Sequence, residues 1–350
     1  MFPLRFSRTS ATTFLNNVLF DYAKCPKDKK PRVSILIPVY NSSRYLETCL
    51  ESVANQELHN IEIICLDDGS IDDSPSILDS FAQRDSRVRV IHKQNEGYGR
   101  TMNLGLSEAH GEYIGIVESD DFASPHMFAR LYAYAKRHKL DLVKSNYFAH
   151  SSHGDTIVEP FSGFPQSSVF NPADIPNILA TTPCIWTGLY RRELIEAAGV
   201  RFNESPGASY QDTSFVHQIW MCAHRVAILP ESYLHYRTDN SASSVKSSSK
   251  VYAVCDEYNT SERFMRAEEG RIHAFCSALN LAKLKTYRWN YSRISADYRL
   301  PFLERAAKEF CESAQRGTLQ RPLFSEEDWA ILNELMSNPS VFAAHHPDSF

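Results

Sequence analysis

The chain has 350 residues with a formal net charge of −5, 43% hydrophobic and 23% charged. That is the composition of an ordinary globular protein with room for two domains, or for one large α/β domain with an appendage. It gives no support to a nucleic-acid-binding surface. No apolar run is long enough to span a membrane.

Residues 1–31 read as a leader closing in the charged linker Lys27-Asp28-Lys29-Lys30-Pro31. Met1 to Phe6 lack the apolar core and small-residue cleavage site of a secretory signal. Phe14, Leu15, Val18, Leu19 and Tyr22 recur at helical spacing and predict a short amphipathic helix that packs on the body. Its opposite face is not lined with basic residues, which argues against a membrane-surface role.

The periodicity then changes. Strands are predicted at Val33–Ile37, Ile61–Leu66, Val88–Ile91, Tyr113–Val117 and Leu140–Tyr147. Helical patterns follow the first four, through Tyr45–Val53, Ile77–Phe81, Thr101–Ala109 and Pro125–His138. Such alternation implies a parallel sheet with right-handed crossovers, whose ligands bind at the carboxyl ends of the strands. Residues 148–185 read as a loop-dominated insertion. A helix ending at Gly199, another over Asp212–Ala223, and a strand at Val226–Leu229 come next. After the Ser-rich loop 241–249, the pattern from about Val251 to Leu335 is helical. For that region membrane contact, a partner and dimerisation all stay open.

Eight cysteines, at 25, 49, 65, 184, 222, 255, 276 and 311, form no C-x-x-C pair. They read as small buried hydrophobes of a reducing compartment, which points to the cytoplasm.

Polar clusters fall where the strands end. Val117-Glu118-Ser119-Asp120-Asp121 follows the fourth strand, Asp67-Asp68-Gly69-Ser70 the second, and Pro38-Val39-Tyr40-Asn41 the first. Carboxylates this close repel, and a hard divalent cation, Mg²⁺ or Mn²⁺, would relieve them while bridging the phosphates of a nucleotide. Turn chemistry and helix capping by Asn41, Ser42 and Asp72 account for some of the same residues. Tyr40 and Asp68 remain available to stack on a base and accept its N–H.

These clusters, together with Asn95-Glu96-Gly97-Tyr98-Gly99-Arg100-Thr101-Met102-Asn103, occur in the order and spacing of family 2 glycosyltransferases of the GT-A fold, which residues 32 to about 245 resemble. The resemblance implies a Rossmann-like, mostly parallel α/β sheet with flanking helices, divided into a nucleotide-sugar half (32–147) and an acceptor half (148–245), with residues 246–350 as a helical appendage. It implies inverting transfer from a nucleotide sugar, commonly a UDP-sugar, assisted by Mn²⁺ or Mg²⁺. The acceptor would be a saccharide or lipid-linked saccharide in surface polysaccharide synthesis at the inner membrane face.

Carried over residue by residue, Pro38 lines the base pocket, Tyr40 stacks on uracil, Asp68 accepts from it, and Arg100 faces the nucleotide. Asp120 and Asp121 match the end of the metal-binding D-x-D-D pattern. Glu118 stands at its first position, toward ribose or metal, where the family more usually has the one-methylene-shorter Asp. Tyr210-Gln211-Asp212 resembles the family's Glu-Asp motif, making Asp212 the general base. His235-Tyr236-Arg237 resembles the segment closing over the diphosphate, with Arg237 on phosphate and His235 on the metal. Trp186 matches a segment beneath the acceptor, although Thr187-Gly188 stands where the family often has Asn-Lys.

Other chemistries fit less well. A dinucleotide fingerprint should place glycines after the first strand, which ends without one. Two-carboxylate glycoside hydrolysis leaves the strand-tip motifs unexplained. A nucleotidyltransferase lacks its Gly-rich loop, and neither G-x-S-x-G nor H-E-x-x-H occurs. The departures at Glu118 and Gln211 leave one alternative, a degenerate transferase kept as a nucleotide-sugar-binding scaffold.

Overall fold

A computed structural model describes residues 30–240 and 250–349. The predicted leader helix and the Ser-rich loop lie outside the described residues.

The first half of the chain alternates as its periodicity predicts. β1 (Val33–Val39), β2 (Ile61–Asp67), β3 (Val88–His92) and β4 (Tyr113–Ile116) are separated by α1 (Ser43–Ala54), α2 (Ser74–Arg84) and α3 (Tyr98–Glu108). They pair in parallel in the order β3-β2-β1-β4. Every residue of β1 is buried, as expected of a strand covered on both faces. Leu46, Cys49, Leu50 and Val53 of α1 form a buried stripe on one face of the sheet. Pro38 has no N–H to donate, and it falls just beyond the last β1–β4 partners, Leu36 and Ile116. β1 runs on past that pairing to Val39, held there by β2 alone.

The second half departs from simple alternation. β5 (Phe122–Ala123) and α4 (Met127–His138) lead into β6 (Leu142–Ser151), which turns back as β7 (Gly154–Val158). The predicted insertion therefore begins with a hairpin, and three short 3-10 turns follow between Pro172 and Thr187. β7 is almost wholly exposed, so no apolar alternation marks it. Next come β8 (Gly188–Arg191), α5 (Arg192–Ala198), α6 (Gln211–Cys222) and β9 (Val226–Arg237). Four-residue β8 wedges antiparallel between β4 and β6, extending the sheet to the order β3-β2-β1-β4-β8-β6-β9-β5. β9 runs parallel to β6 and carries β5 on its outer edge.

Helices α7 (Ala253–Arg266), α8 (Glu269–Tyr291), α9 (Ala296–Gln315), α10 (Glu326–Ser337) and α11 (Pro339–His345) complete the chain. They join α3 and α6 in one continuous core. At its centre Lys283, wholly buried, bonds Glu262 (2.8 Å) and Glu309 (2.9 Å). Among the described residues no helix is long and apolar enough to cross a membrane.

Candidate active site

The strand tips are tied together before any ligand is considered. Asn41, at a left-handed φ of 50°, accepts from the Ile71 N–H (2.9 Å) and donates its own N–H to Ser70 Oγ (3.0 Å). Asp72 accepts from the backbone N–H groups of Ser43 and Ser74, both at 3.0 Å, and so caps α1 and α2 at once. The hydroxyls of Ser42 and Ser119 lie 2.7 Å apart, joining the β1 tip to the acidic segment.

The paired aspartates after β2 divide their work. Asp67 accepts from the Ser70 N–H (2.9 Å) and holds His92 Nδ1 (2.7 Å), closing the turn. Asp68 points to the other side of the tip. Its carboxylate takes Lys93 Nζ (2.6 Å) and the N–H groups of Glu96 and Gly97 (both 2.9 Å). Burial acts to raise its pKa, but the Lys93 ammonium and these donors outweigh it and hold the group below its usual value. Tyr40 follows Pro38 and Val39 at the adjacent tip, 53% exposed for so large a side chain.

Four carboxylates converge beyond these tips. Glu118 accepts from the Tyr98 hydroxyl at 2.7 Å. Burial, reinforced by the charges on Asp120 and Asp212, pushes its pKa to about 8. Asp120 accepts from Asn240 Nδ2 (2.8 Å), and its main-chain carbonyl takes Arg237 Nε (2.9 Å). Asp121 Oδ1 accepts the Arg237 N–H at 2.7 Å, while Oδ2 is buried with no hydrogen-bond partner. Burial first, and then the Asp120 charge, drive the Asp121 pKa well up. The Arg237 guanidinium lies 4.4 Å over the Tyr45 ring. The phenol of Tyr236 lies within the field of all four acids, Asp121, Asp120, Glu118 and Asp212.

Asp212 sits in the first turn of α6, behind Tyr210 at a left-handed φ of 62°. Its carboxylate accepts from the Thr213 hydroxyl at 3.4 Å. Every other residue of α6 is buried, and Asp212 alone keeps some open surface. Burial raises its pKa, and the Thr213 N–H and hydroxyl offset part of the rise. The neighbouring Gln211 donates to Ser205 Oγ (2.9 Å) and the Gly207 carbonyl (3.1 Å), pinning the segment that leads into the helix. The C-terminal helices brace that segment. Tyr210 donates to Asn290 of α8 (3.0 Å), and Asn203 and Ser214 both donate to Glu257 of α7.

Glu257 is itself held near neutrality, because burial raises its pKa to about 8 from 4.5. Between those values the folded carboxyl keeps a proton that the unfolded chain has released. Its contribution to stability therefore weakens as pH rises through that window. Glu257→Gln, which keeps the shape without the ionisation, should flatten this dependence. Thermal melts from about pH 5 to pH 8 should show wild type losing Tm relative to the variant. A constant difference would contradict the assignment.

Two expected site residues have other partners. Arg100 bonds Glu96 (2.9 Å) and Glu204 (3.3 Å), clamping α3 to the 203–207 segment instead of presenting a bare cation to a nucleotide. His235 is not gathered with Asp120 and Asp121. Its ring is stacked between Phe122 (4.4 Å) and Phe148 (4.7 Å), its Nε2 meets Ser124 Oγ at 3.1 Å, and its Nδ1 faces Asp155.

Sequence reasoning missed Tyr98 and Lys144. Lys144 of β6 is wholly buried, bonds the Cys184 carbonyl and lies 3.3 Å from the Tyr190 hydroxyl. Burial lowers its pKa to about 8, against the opposing charges of Cys184 and Asp212. Gly188 is its partner across the β6–β8 pairing, and a Cβ there would lie 2.9 Å from Lys144 Cδ. The main-chain carbonyl of Val143 lies closer still to that position, so backbone first and the lysine second leave room only for glycine. Trp186 stacks on Tyr236 at 5.0 Å and 12°.

Comparison with known proteins decides the family. The model of glycosyl transferase family 2 matches residues 34–198. The glycosyltransferase GlyG of Streptococcus pneumoniae is 31% identical over 220 residues, which are 59% of this chain and 70% of GlyG. The chain belongs to glycosyl transferase family 2. The uncharacterized glycosyltransferase EpsJ of Bacillus subtilis is 36% identical over 213 residues of this family 2 chain. That match covers 59% of the chain but only 61% of EpsJ's length. Among solved structures, residues 1–349 of S. aureus TarS in complex with UDP-GlcNAc align with a TM-score of 0.67 at 18% identity, covering 80% of each chain. The mannosyltransferase PcManGT of Pyrobaculum calidifontis, in complex with GDP-Man and Mn²⁺, aligns at 0.50 with 16% identity over 95% of this chain and 94% of its own. At these identities the likeness is one of fold, the GT-A fold.

Proposed function

We propose that this family 2 member transfers a glycosyl group from a nucleoside-diphosphate sugar, a UDP-sugar, to a hydroxyl of a saccharide or lipid-linked saccharide, with inversion, in surface polysaccharide synthesis. The observation that carries the reading is the carboxylate cluster at the carboxyl edge of the sheet, with one buried oxygen of Asp121 left unsatisfied. Buried acceptors are rarely left so without a ligand. The donor set, all oxygen, suits Mg²⁺ or Mn²⁺.

Asp120 and Asp121 would hold the ion, with Glu118 beside them. A bound divalent cation there would take up negative charge on the departing diphosphate. Arg237 adds a planar cation to the same region. Tyr40 offers its exposed ring to the base, beside Pro38. Asp68 accepts the base N–H with the capacity left on its carboxylate beside Lys93.

Asp212 takes the acceptor's proton as the hydroxyl oxygen forms its bond to the anomeric carbon. The bond from that carbon to the phosphate oxygen breaks, and its electron pair leaves with the nucleoside diphosphate. A raised carboxyl pKa brings the base closer to the acceptor's and to working pH. Trp186 and Tyr236 supply a flat apolar surface for the acceptor sugar.

The test is consumption of UDP-sugars, against GDP-sugars as controls, by the full chain with and without Mn²⁺. Release of UDP that requires the ion and an added saccharide acceptor is expected. A protein that binds UDP yet releases none from any UDP-sugar, even to water, would overturn the proposal in favour of a scaffold.

A further inference from the structure

The displaced His235 belongs to a second cluster. The β6–β7 hairpin places His150 opposite Asp155 in register, and β9 runs along the other side of β6 with His150 opposite Arg237. His150 Nδ1 lies 2.7 Å from Asp155 Oδ1, and His235 Nδ1 lies 2.9 Å from Oδ2 of the same carboxylate. The three ligating atoms all fall within 4.8 Å of one another.

Two histidines bonded to one aspartate would explain the distances but not the orientation of His235. Its Nδ1 is buried and pairs with Asp155 Oδ2 at 2.9 Å, but off the line of a well-formed hydrogen bond. Its other nitrogen, Nε2, lies 3.1 Å from Ser124 Oγ, and in the tautomer with Nε2–H donating to that hydroxyl the Nδ1 lone pair is presented to an ion. The Phe122–His235–Phe148 stack locks the ring plane. An oriented neutral imidazole with a hydrogen-bonded far nitrogen is what a metal-ligating histidine requires.

We propose that His150, Asp155 and His235 bind a divalent transition ion of the zinc class, at a site separate from the Asp120–Asp121 cluster. Two imidazoles and one carboxylate favour Zn²⁺ over Mg²⁺ or Mn²⁺, which prefer all-oxygen sets. Three protein ligands leave the fourth position to water, and all three retain some exposure toward solvent. The ion staples the exposed β7 hairpin to β9, the strand whose Arg237 N–H holds Asp121.

The full chain, stripped with chelator and titrated with Zn²⁺ alone, tests this by calorimetry and thermal melting. One equivalent should bind and raise Tm. Both His150→Ala and the near-isosteric Asp155→Asn should lose it, with affinity weakened at least about tenfold, while Asp121→Asn keeps it. Co²⁺ substitution should give the intense visible bands of a tetrahedral N/O site in wild type but not in Asp155→Asn. No zinc uptake, or uptake equal in wild type and both hairpin variants, overturns the site. Uptake lost only in Asp121→Asn assigns the zinc to the acidic cluster and overturns it as well. None of these readouts depends on sugar transfer, so the function proposed above stands or falls separately.

Discussion

Asp212→Asn should bind UDP in the presence of Mn²⁺ as tightly as wild type and fail to turn over. The substitution keeps the size of the side chain and its bond to the Thr213 hydroxyl, but the amide cannot take a proton. Removal of a positioned general base costs about 10²–10⁴-fold in rate. In wild type the same group should be visible in pH profiles. Burial raises the Asp212 pKa, so kcat/KM should fall on acidification at a pH above that of an exposed carboxylate. That acid limb should be missing from the residual activity of the variant. Calorimetry with UDP and steady-state assays separate the two effects. Unchanged kcat in Asp212→Asn would remove the base assignment.

Asp121→Asn should produce the opposite pattern, with loss of metal-dependent nucleotide binding. The Asp121 carboxylate gives one oxygen to the Arg237 N–H and leaves the other buried and unsatisfied. An asparagine that keeps its oxygen on the Arg237 N–H can present only its NH₂ group to the cation. The apo protein should gain stability, because a buried, charge-crowded carboxylate has been neutralised. Thermal melts with UDP, with and without Mn²⁺, read both effects. Wild type should be protected by UDP only when the ion is present, and the variant in neither case. Equal Mn²⁺-dependent protection in wild type and variant would mean that the ion is held elsewhere.

Much of this site could be read before any coordinates, because motif residues at strand ends are local features. Pro38 to Asn41, Asp67 to Ser70 and Glu118 to Asp121 each follow a short apolar run, and strand-helix alternation alone puts them on one edge. Asp212 was legible as an acid at the start of a helix. Which of Asp67 and Asp68 stays with its own turn was not legible, since His92, the last residue of β3, and Lys93 just beyond it claim them.

What remained hidden depends on pairings between distant segments. β8 is four residues long and takes its place only because β4 and β6 flank it. Lys144 reads as a charge interrupting a strand, and its burial makes sense only beside Gly188 and the Cys184 carbonyl. Tyr98 lies within a recognised motif, yet its bond to Glu118 spans 20 residues. His235 was expected beside Asp120 and Asp121 as a metal ligand, whereas its ring is held between Phe122 and Phe148. Its nearest carboxylate, Asp155, comes from an exposed hairpin that no apolar periodicity announces.

A crystal of the full chain grown with UDP and Mn²⁺, measured for anomalous scattering, tests the central claim directly. The manganese peak should be bonded to Asp121 Oδ2 and to a phosphate oxygen, with the uracil against Tyr40 and Asp212 facing open cleft. A nucleotide bound away from the β1 and β2 tips, or a manganese peak without Asp121 among its ligands, would contradict it.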